Sequence, residues 1–304
     1  MSESELDPEF LQRVAALSIE ASRGALGHQI GPHESPREGS SIVFAEHREY
    51  RPMDDPRRID MRAWARTDRP TIKRFEHESD RLISLLIDRS PSMDFRSEEE
   101  LPTKYEWARL FASGLAFLHL RSGERVMLSP YDDEPLGLLH ERRGVATLGE
   151  LIRPLFEPLP KGRKTSLKRA VEGLRELPRK SALIIISDFL EDDLLEAIAS
   201  LRGYAARGVE IQLVQLFDPA EARFSFDRAA RVEGCEGEEP IEVTPDRALE
   251  AAYNEAIAAH LASVQNLALT LGARVSFFET SHDPVLGLSS ILRMSSLRQL
   301  EATR

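Results

Sequence analysis

Two short apolar runs, spaced so that their closing residues fall at 88 and 188, constrain the fold of this chain more than any other feature. Leu82-Ile-Ser-Leu-Leu-Ile-Asp88 and Ala182-Leu-Ile-Ile-Ile-Ser-Asp188 are each nearly continuous and each closed by an aspartate. Runs of that length without polar alternation suit strands buried on both faces, as in a parallel sheet. The intervening stretches agree. Helical spacing over 103–121 carries Tyr105, Trp107, Leu110, Phe111, Leu115 and Leu118, and is followed by a strand over 124–131. Helices are predicted near 146–156, over 166–177 and over 191–206, with a further strand over 209–217. Residues 223–244 read as a β-hairpin turning near Gly234 and Gly237, before a helix over 246–271 and a closing strand over 273–278. Strands alternating with helices in this way imply an α/β, doubly wound, mostly parallel sheet flanked by helices.

The first run also carries chemistry. Asp88-Arg-Ser90-Pro-Ser92 cannot continue a strand through its Ser-Pro-Ser, so one carboxylate and two hydroxyls arrive at a single sheet edge. All three are hard oxygen donors of the kind Mg²⁺ prefers, with Mn²⁺ or Ca²⁺ as alternatives. The plainer reading is a strand end capped by Asp and Ser in a turn. Ligands of doubly wound sheets sit outside the carboxyl ends of the strands, near the topological switch point, and Asp188 also stands at such an end. A third loop, Gly162-Arg163-Lys164-Thr165-Ser166, places a hydroxyl just before a helix, where Thr165 or Ser166 would by itself read as an N-cap.

Taken together, Asp88, Ser90, Ser92, Thr165 and Asp188 occur in the order and loop context of the metal-ion-dependent adhesion site, Asp-x-Ser-x-Ser. Residues 80–280 thereby resemble a von Willebrand factor A domain. The resemblance implies that Ser90 and Ser92 ligate the metal directly, with Thr165 and Asp188 contributing directly or through water. Asp88 would orient the serines and hold metal-bound water from behind. The family's second loop in chain order, the one at 162–166 here, usually reads Gly-Gly-Thr or similar, whereas Arg163 and Lys164 precede Thr165 in this chain, two cations that bear on metal occupancy or serve the partner. An ion ringed by neutral hydroxyls keeps much of its charge, so an Asp or Glu of another protein can replace a bound water. Hydrolysis would need a general base or nucleophile beside the metal. No histidine lies in the three loops, no Gly-x-Ser-x-Gly surrounds Ser90 or Ser92, and Ser90 stands where an aspartyl-phosphate enzyme would want a second Asp. The expectation is a non-enzymatic, metal-dependent protein-binding module. A metal-dependent hydrolase using the same acidic loops, phosphatase or nuclease-like, is the alternative, and a scaffold with an unused site is the third reading.

Residues 39–93 carry a second resemblance. Gly39-Ser-Ser-Ile-Val-Phe44-Ala-Glu46-His-Arg48-Glu-Tyr50-Arg51-Pro-Met53-Asp54-Asp55-Pro-Arg57-Arg58-Ile59-Asp60-Met61-Arg62-Ala-Trp64-Ala-Arg66-Thr67 precedes Phe75-Glu-x-Glu78 and the Asp88 run. This resembles the hallmark region of the bacterial family known as domain of unknown function fifty-eight, whose members set it directly before a von Willebrand A-type domain. Met53 stands where the family usually has Gly, and Met61 where Trp is common. Proteins of that family are often associated with MoxR-type AAA+ ATPases, so the resemblance implies such an ATPase as partner, acting in assembly or maturation of other proteins. Read physically, residues 48–74 hold nine Lys/Arg against five Asp/Glu. Arg51, Asp54, Asp55, Arg58, Asp60 and Arg66 suit a paired charge network, either a clamp onto the main domain or a docking surface.

Composition narrows the classes. A net charge of −11 argues against general nucleic-acid binding and against attachment to anionic membranes. The lone Cys235 excludes an internal disulfide and any cysteine-based zinc cluster. The acidic first residues do not form a secretory signal, and no apolar run approaches the roughly 20 residues of a spanning helix, so a cytoplasmic protein without membrane insertion is expected. An amphipathic helix over 7–24 belongs to an N-terminal extension spanning 1–78 and packed on the main domain. Residues 79–304 then form the von Willebrand A-like domain with a C-terminal tail.

Overall fold

The structure is a computed structural model that describes residues 6–26, 42–49, 61, 64, 69–77, 81–132, 136, 139–158, 166–191, 194–224, 230–232, 241–244 and 246–301. Its centre is a six-stranded sheet. Strands β3 (Leu82–Asp88) and β6 (Ala182–Ser187) are parallel neighbours in it, with Ile87 opposite Ile186. On the β3 side the sheet continues through parallel β4 (Arg125–Tyr131) to the two-residue antiparallel edge β5 (Arg142–Arg143). On the β6 side it continues through parallel β7 (Glu210–Phe217) and β10 (Arg274–Glu279). The chain leaves β3 in one direction and later returns to build outward in the other. The switch point therefore lies between β3 and β6, and their carboxyl ends open the crevice that such sheets use for ligands.

Alternation along buried strands divides the core into two layers. Ile83, Leu85, Ile87, Ile184 and Ile186 face α1 (Pro8–Leu26), α2 (Lys104–Arg121) and α9 (Pro284–Glu301). Leu82, Leu86, Leu183 and Ile185 face α4 (Leu167–Gly173), α5 (Leu194–Ser200), α6 (Arg202–Ala206) and α8 (Arg247–Leu271). Helix α2 is buried around most of its circumference because α1 and α9 cover the side turned away from the sheet. Thr103 starts it with a capping box: its hydroxyl accepts from Glu106 N at 3.1 Å, and Glu106 Oε2 accepts from Thr103 N at 3.0 Å. Thr103→Ala is expected to cost about 1 kcal/mol, read as a lower urea midpoint with unchanged slope.

Several elements differ from the sequence expectation. The helix near 146–156 is broken into a 3₁₀ turn (Val145–Thr147), α3 (Leu148–Ile152) and a second 3₁₀ turn (Arg153–Phe156), because Pro154 lacks the N–H an α-helix would use. The helix over 166–177 stops at Gly173, and the one over 191–206 is interrupted at the buried Leu201 between α5 and α6. Asp218 caps α7 (Pro219–Ala222) directly after β7, an element not foreseen. The charged segment ends in a strand, β2 (Thr71–His77), paired antiparallel with β1 (Ile42–Glu49), with a register shift between Phe44 and Glu46. The hairpin over 223–244 has two short arms, β8 (Ala230–Val232) and β9 (Ile241–Val243). What reads as a C-terminal tail contains α9, whose Val285, Leu288 and Ile291 enter the core beside Phe10 and Val14 of α1.

Candidate metal centre

Asp88 is the last residue of β3 and is almost fully buried. Its Oδ1 accepts from Ser90 N at 2.8 Å, which bends the chain out of the strand, and its Oδ2 accepts from Ser187 Oγ at 2.6 Å across the switch point. Both oxygens are thus used to hold other parts of the site. Ser90 begins a 3₁₀ turn (Pro91–Asp94) anchored by the buried Met93. That turn brings Ser90 Oγ and Ser92 Oγ to 2.8 Å. Burial, with Asp188 adding to it, pushes the Asp88 carboxyl up to about 7.

Asp188 follows β6 at 2% exposure. Its Oδ1 accepts from Leu190 N at 3.2 Å and its Oδ2 from Lys104 Nζ at 2.8 Å. The next residue, Phe189, is fully buried with a φ of +55°, a left-handed conformation costly for an aromatic side chain. Two bonds hold that kink. Ser187 Oγ accepts from Phe189 N at 2.9 Å, and the Asp188 carbonyl accepts from Gln215 Nε2 at 2.8 Å. Lys104 is wholly buried and donates a second bond, 2.6 Å, to Glu221 Oε1 of α7. Burial pulls the Lys104 ammonium down, but Asp188 and Glu221 outweigh it, so the group is held charged.

The structure therefore brings Asp88, Ser90, Ser92 and Asp188 to one edge. Thr165, with Arg163 and Lys164, lies outside the described residues, as do Arg51, Asp54, Asp55, Arg58, Asp60 and Arg66. Arg89 of the first loop donates to the Pro158 carbonyl at 2.8 Å. Sequence reasoning missed Lys104, Glu221, Ser187 and Gln215. Only Glu221 left a local sign, since Asp218-Pro-Ala-Glu221 has capping-box spacing and forms one.

Does the edge suit a divalent ion? Adjacent ligands of an octahedral Mg²⁺ with bonds of roughly 2.0–2.1 Å stand about 2.9 Å apart. The two serine hydroxyls, hydrogen-bonded to each other at 2.8 Å, stand at a separation compatible with adjacent ligand positions. Among the described residues no cluster of three His, Cys, Asp or Glu side chains could hold a metal ion, so an ion here would rest on hydroxyl oxygens with carboxylates behind them. The donor set fits a hard cation and gives no hold for a soft one.

The fold is an α/β, doubly wound, mostly parallel sheet, and its switch-point edge resembles the adhesion-site loop of von Willebrand A domains. The chain belongs to the family described as "Protein of unknown function DUF58", whose model matches residues 46–263. It is similar to the uncharacterized protein Rv1480 of Mycobacterium tuberculosis, 26% identical over 296 residues, covering 96% of this chain and 91% of that protein. Among solved structures it is similar to the conserved hypothetical protein BatB of Bacteroides thetaiotaomicron, at 15% identity and a TM-score of 0.42, covering 71% of this chain and 99% of that one. The SpRpn10 VWA domain matches at 12% identity and a TM-score of 0.37, covering 68% and 92% respectively. Among the described residues no helix is long and apolar enough to cross a membrane.

Proposed function

We propose that this chain is a non-enzymatic, metal-dependent protein-interaction module. The observation that carries the reading is the pair of serine hydroxyls, 2.8 Å apart at the switch point, with a buried Asp88 holding the turn that presents them. Ser90 and Ser92 would hold a divalent ion, Mg²⁺ in the first instance and Mn²⁺ or Ca²⁺ as substitutes, joined by Thr165 from the third loop. A bound ion supplies an open position where a partner's Asp or Glu replaces water. Asp88 fixes the Ser90 backbone, and Ser187 carries that constraint to the Asp188 strand. Among the described residues of this edge the two carboxylates are already engaged: Asp88 accepts from Ser90 N and Ser187 Oγ, and Asp188 pairs with Lys104, which favours binding over proton transfer. The partner we favour is a MoxR-type AAA+ ATPase in the cytoplasm, working in assembly or maturation of other proteins; its support is the family alone.

Titration of Mn²⁺ into the chelator-treated protein, followed by calorimetry, tests the site. Ser92→Ala removes a proposed ligand and is expected to weaken binding by at least the roughly 10–100-fold that loss of an outer-shell support costs. Equal heats from the wild type and the variant would end the metal reading. Partner capture with and without chelator then tests the bridge, and capture that ignores the chelator would leave a metal-independent scaffold.

A further inference from the structure

Lys104 is the least expected group at this edge. It is the first residue of α2, where the helix dipole already disfavours positive charge, and it is wholly buried as well. Both circumstances count against an ammonium group. Replacing a buried ion pair with apolar side chains is often neutral or stabilising, so fold stability alone is a weak reason for a lysine here. What Lys104 does have is position. Its Nζ sits 2.8 Å from Asp188 Oδ2 and 2.6 Å from Glu221 Oε1, on the strand end beside the Ser90–Ser92 pair. Three acidic side chains, Asp88, Asp188 and Glu221, gather at this edge, and Lys104 cancels one of them.

We propose that Lys104 is the internal counter-ion of the metal site, competing with a divalent cation for Asp188 and so setting how tightly that cation is held. The proposal rests on the metal reading above. Lys104 adds one positive charge beside Asp188 and Glu221, so an ion held at the serine pair meets a less negative edge; without the lysine that edge carries one more unit of negative charge toward the ion. The lysine therefore weakens ion binding and preserves positive potential for an incoming acidic residue. Glu221 sets the balance from the other side, drawing the ammonium away from Asp188. The loop is mechanically joined to this pair, because Lys104 N donates to the Phe95 carbonyl at 3.2 Å and Ser97 N donates to Asp218 Oδ2 at 2.9 Å.

The test is Mn²⁺ binding to the full chain, measured by calorimetry and by the free-ion electron-spin signal, with thermal unfolding in parallel. Lys104→Met should bind Mn²⁺ at least about tenfold tighter, the least that removing one unit charge at short range from a divalent ion gives. Its melting temperature should also rise more on Mn²⁺ addition than that of the wild type. Glu221→Gln should shift affinity in the opposite direction, severalfold weaker. Wild-type binding with Lys104→Met equal or weaker overturns the role of Lys104 and leaves the metal site standing. Binding by Lys104→Met alone supports Lys104 as counter-ion and ends the metal-dependent reading of the wild type. Absence of binding in every variant overturns both. Should Lys104→Met fail to fold, Glu221→Gln decides, and unchanged or tighter Mn²⁺ binding there overturns the proposal.

Discussion

Trp107→Ala is expected to destabilise the chain by about 3–5 kcal/mol, the range for deleting a fully buried large aromatic side chain. Trp107 is wholly buried in α2, stacked on Phe111 at 4.9 Å between ring centroids and on Phe278 of β10 at 5.4 Å. Its indole N–H donates to the His282 carbonyl at 2.6 Å, so alanine leaves both a cavity and an unpaired carbonyl. The neighbouring helix cannot simply close the gap. Gly287 of α9 already lies so close that an added Cβ would stand 3.3 Å from the Trp107 ring and 3.2 Å from Phe111. Trp107→Phe keeps most of the volume and loses only the N–H bond, so about 1–2 kcal/mol is expected there. Urea unfolding measures both, and a loss below about 1 kcal/mol for Trp107→Ala would contradict this view of the packing. The effect should reach the metal edge. Trp107 lies one turn beyond Lys104, and loosening that turn frees the ammonium from Asp188 and Glu221.

The parts of this molecule that were legible are those whose signal is local. Both central strands announce themselves because burial on two faces demands continuous apolar residues, and the aspartates that close them fall at the switch point by topology alone. Asp88, Ser90 and Ser92 are legible for the same reason, lying within five positions of one another. Lys104 was not. A lysine at the start of a helix reads as solvated, and the carboxylates that bury it lie 84 and 117 positions along the chain. Helix α9 was missed because Gly287 and its serines lower helical propensity, and tertiary burial of Val285, Leu288 and Ile291 overrides that preference. Phe189 gave no warning either. An aromatic residue takes a left-handed φ only where neighbours hold it there, and those neighbours, Ser187 and Gln215, become visible only in three dimensions.

Metal-free protein is expected to lose stability as pH rises from about 4 to about 7, and Asp88→Asn to remove most of that loss. Asp88 titrates near 3.8 when unfolded and near 7 when folded, raised by burial and by Asp188. Between those values the native state binds the proton more tightly than the unfolded chain, so unfolding releases a proton and higher pH favours it. The contribution is fully present below the unfolded value and is lost as pH passes the folded one. With each pH unit between the two values worth about 1.4 kcal/mol, the ceiling is roughly 4 kcal/mol. Tyr131 and Tyr105 also face this carboxylate, but burial raises both phenols, Tyr105 to about 12, so neither ionises in the window. Asparagine keeps the shape and carries no charge, so Asp88→Asn should lose most of the slope; what is left comes from Glu221, whose carboxyl burial also raises, set against His260, whose imidazole burial lowers. Divalent cation should flatten the wild-type profile too, by stabilising the ionised carboxylate that pH otherwise penalises. The same linkage requires Mn²⁺ affinity to climb by up to about tenfold per pH unit below 7 and then to level off. Thermal unfolding across pH 4–8, with chelator and with Mn²⁺, reads all of these curves. A wild-type slope that survives undiminished in Asp88→Asn would remove Asp88 as the proton-linked support of the serine pair.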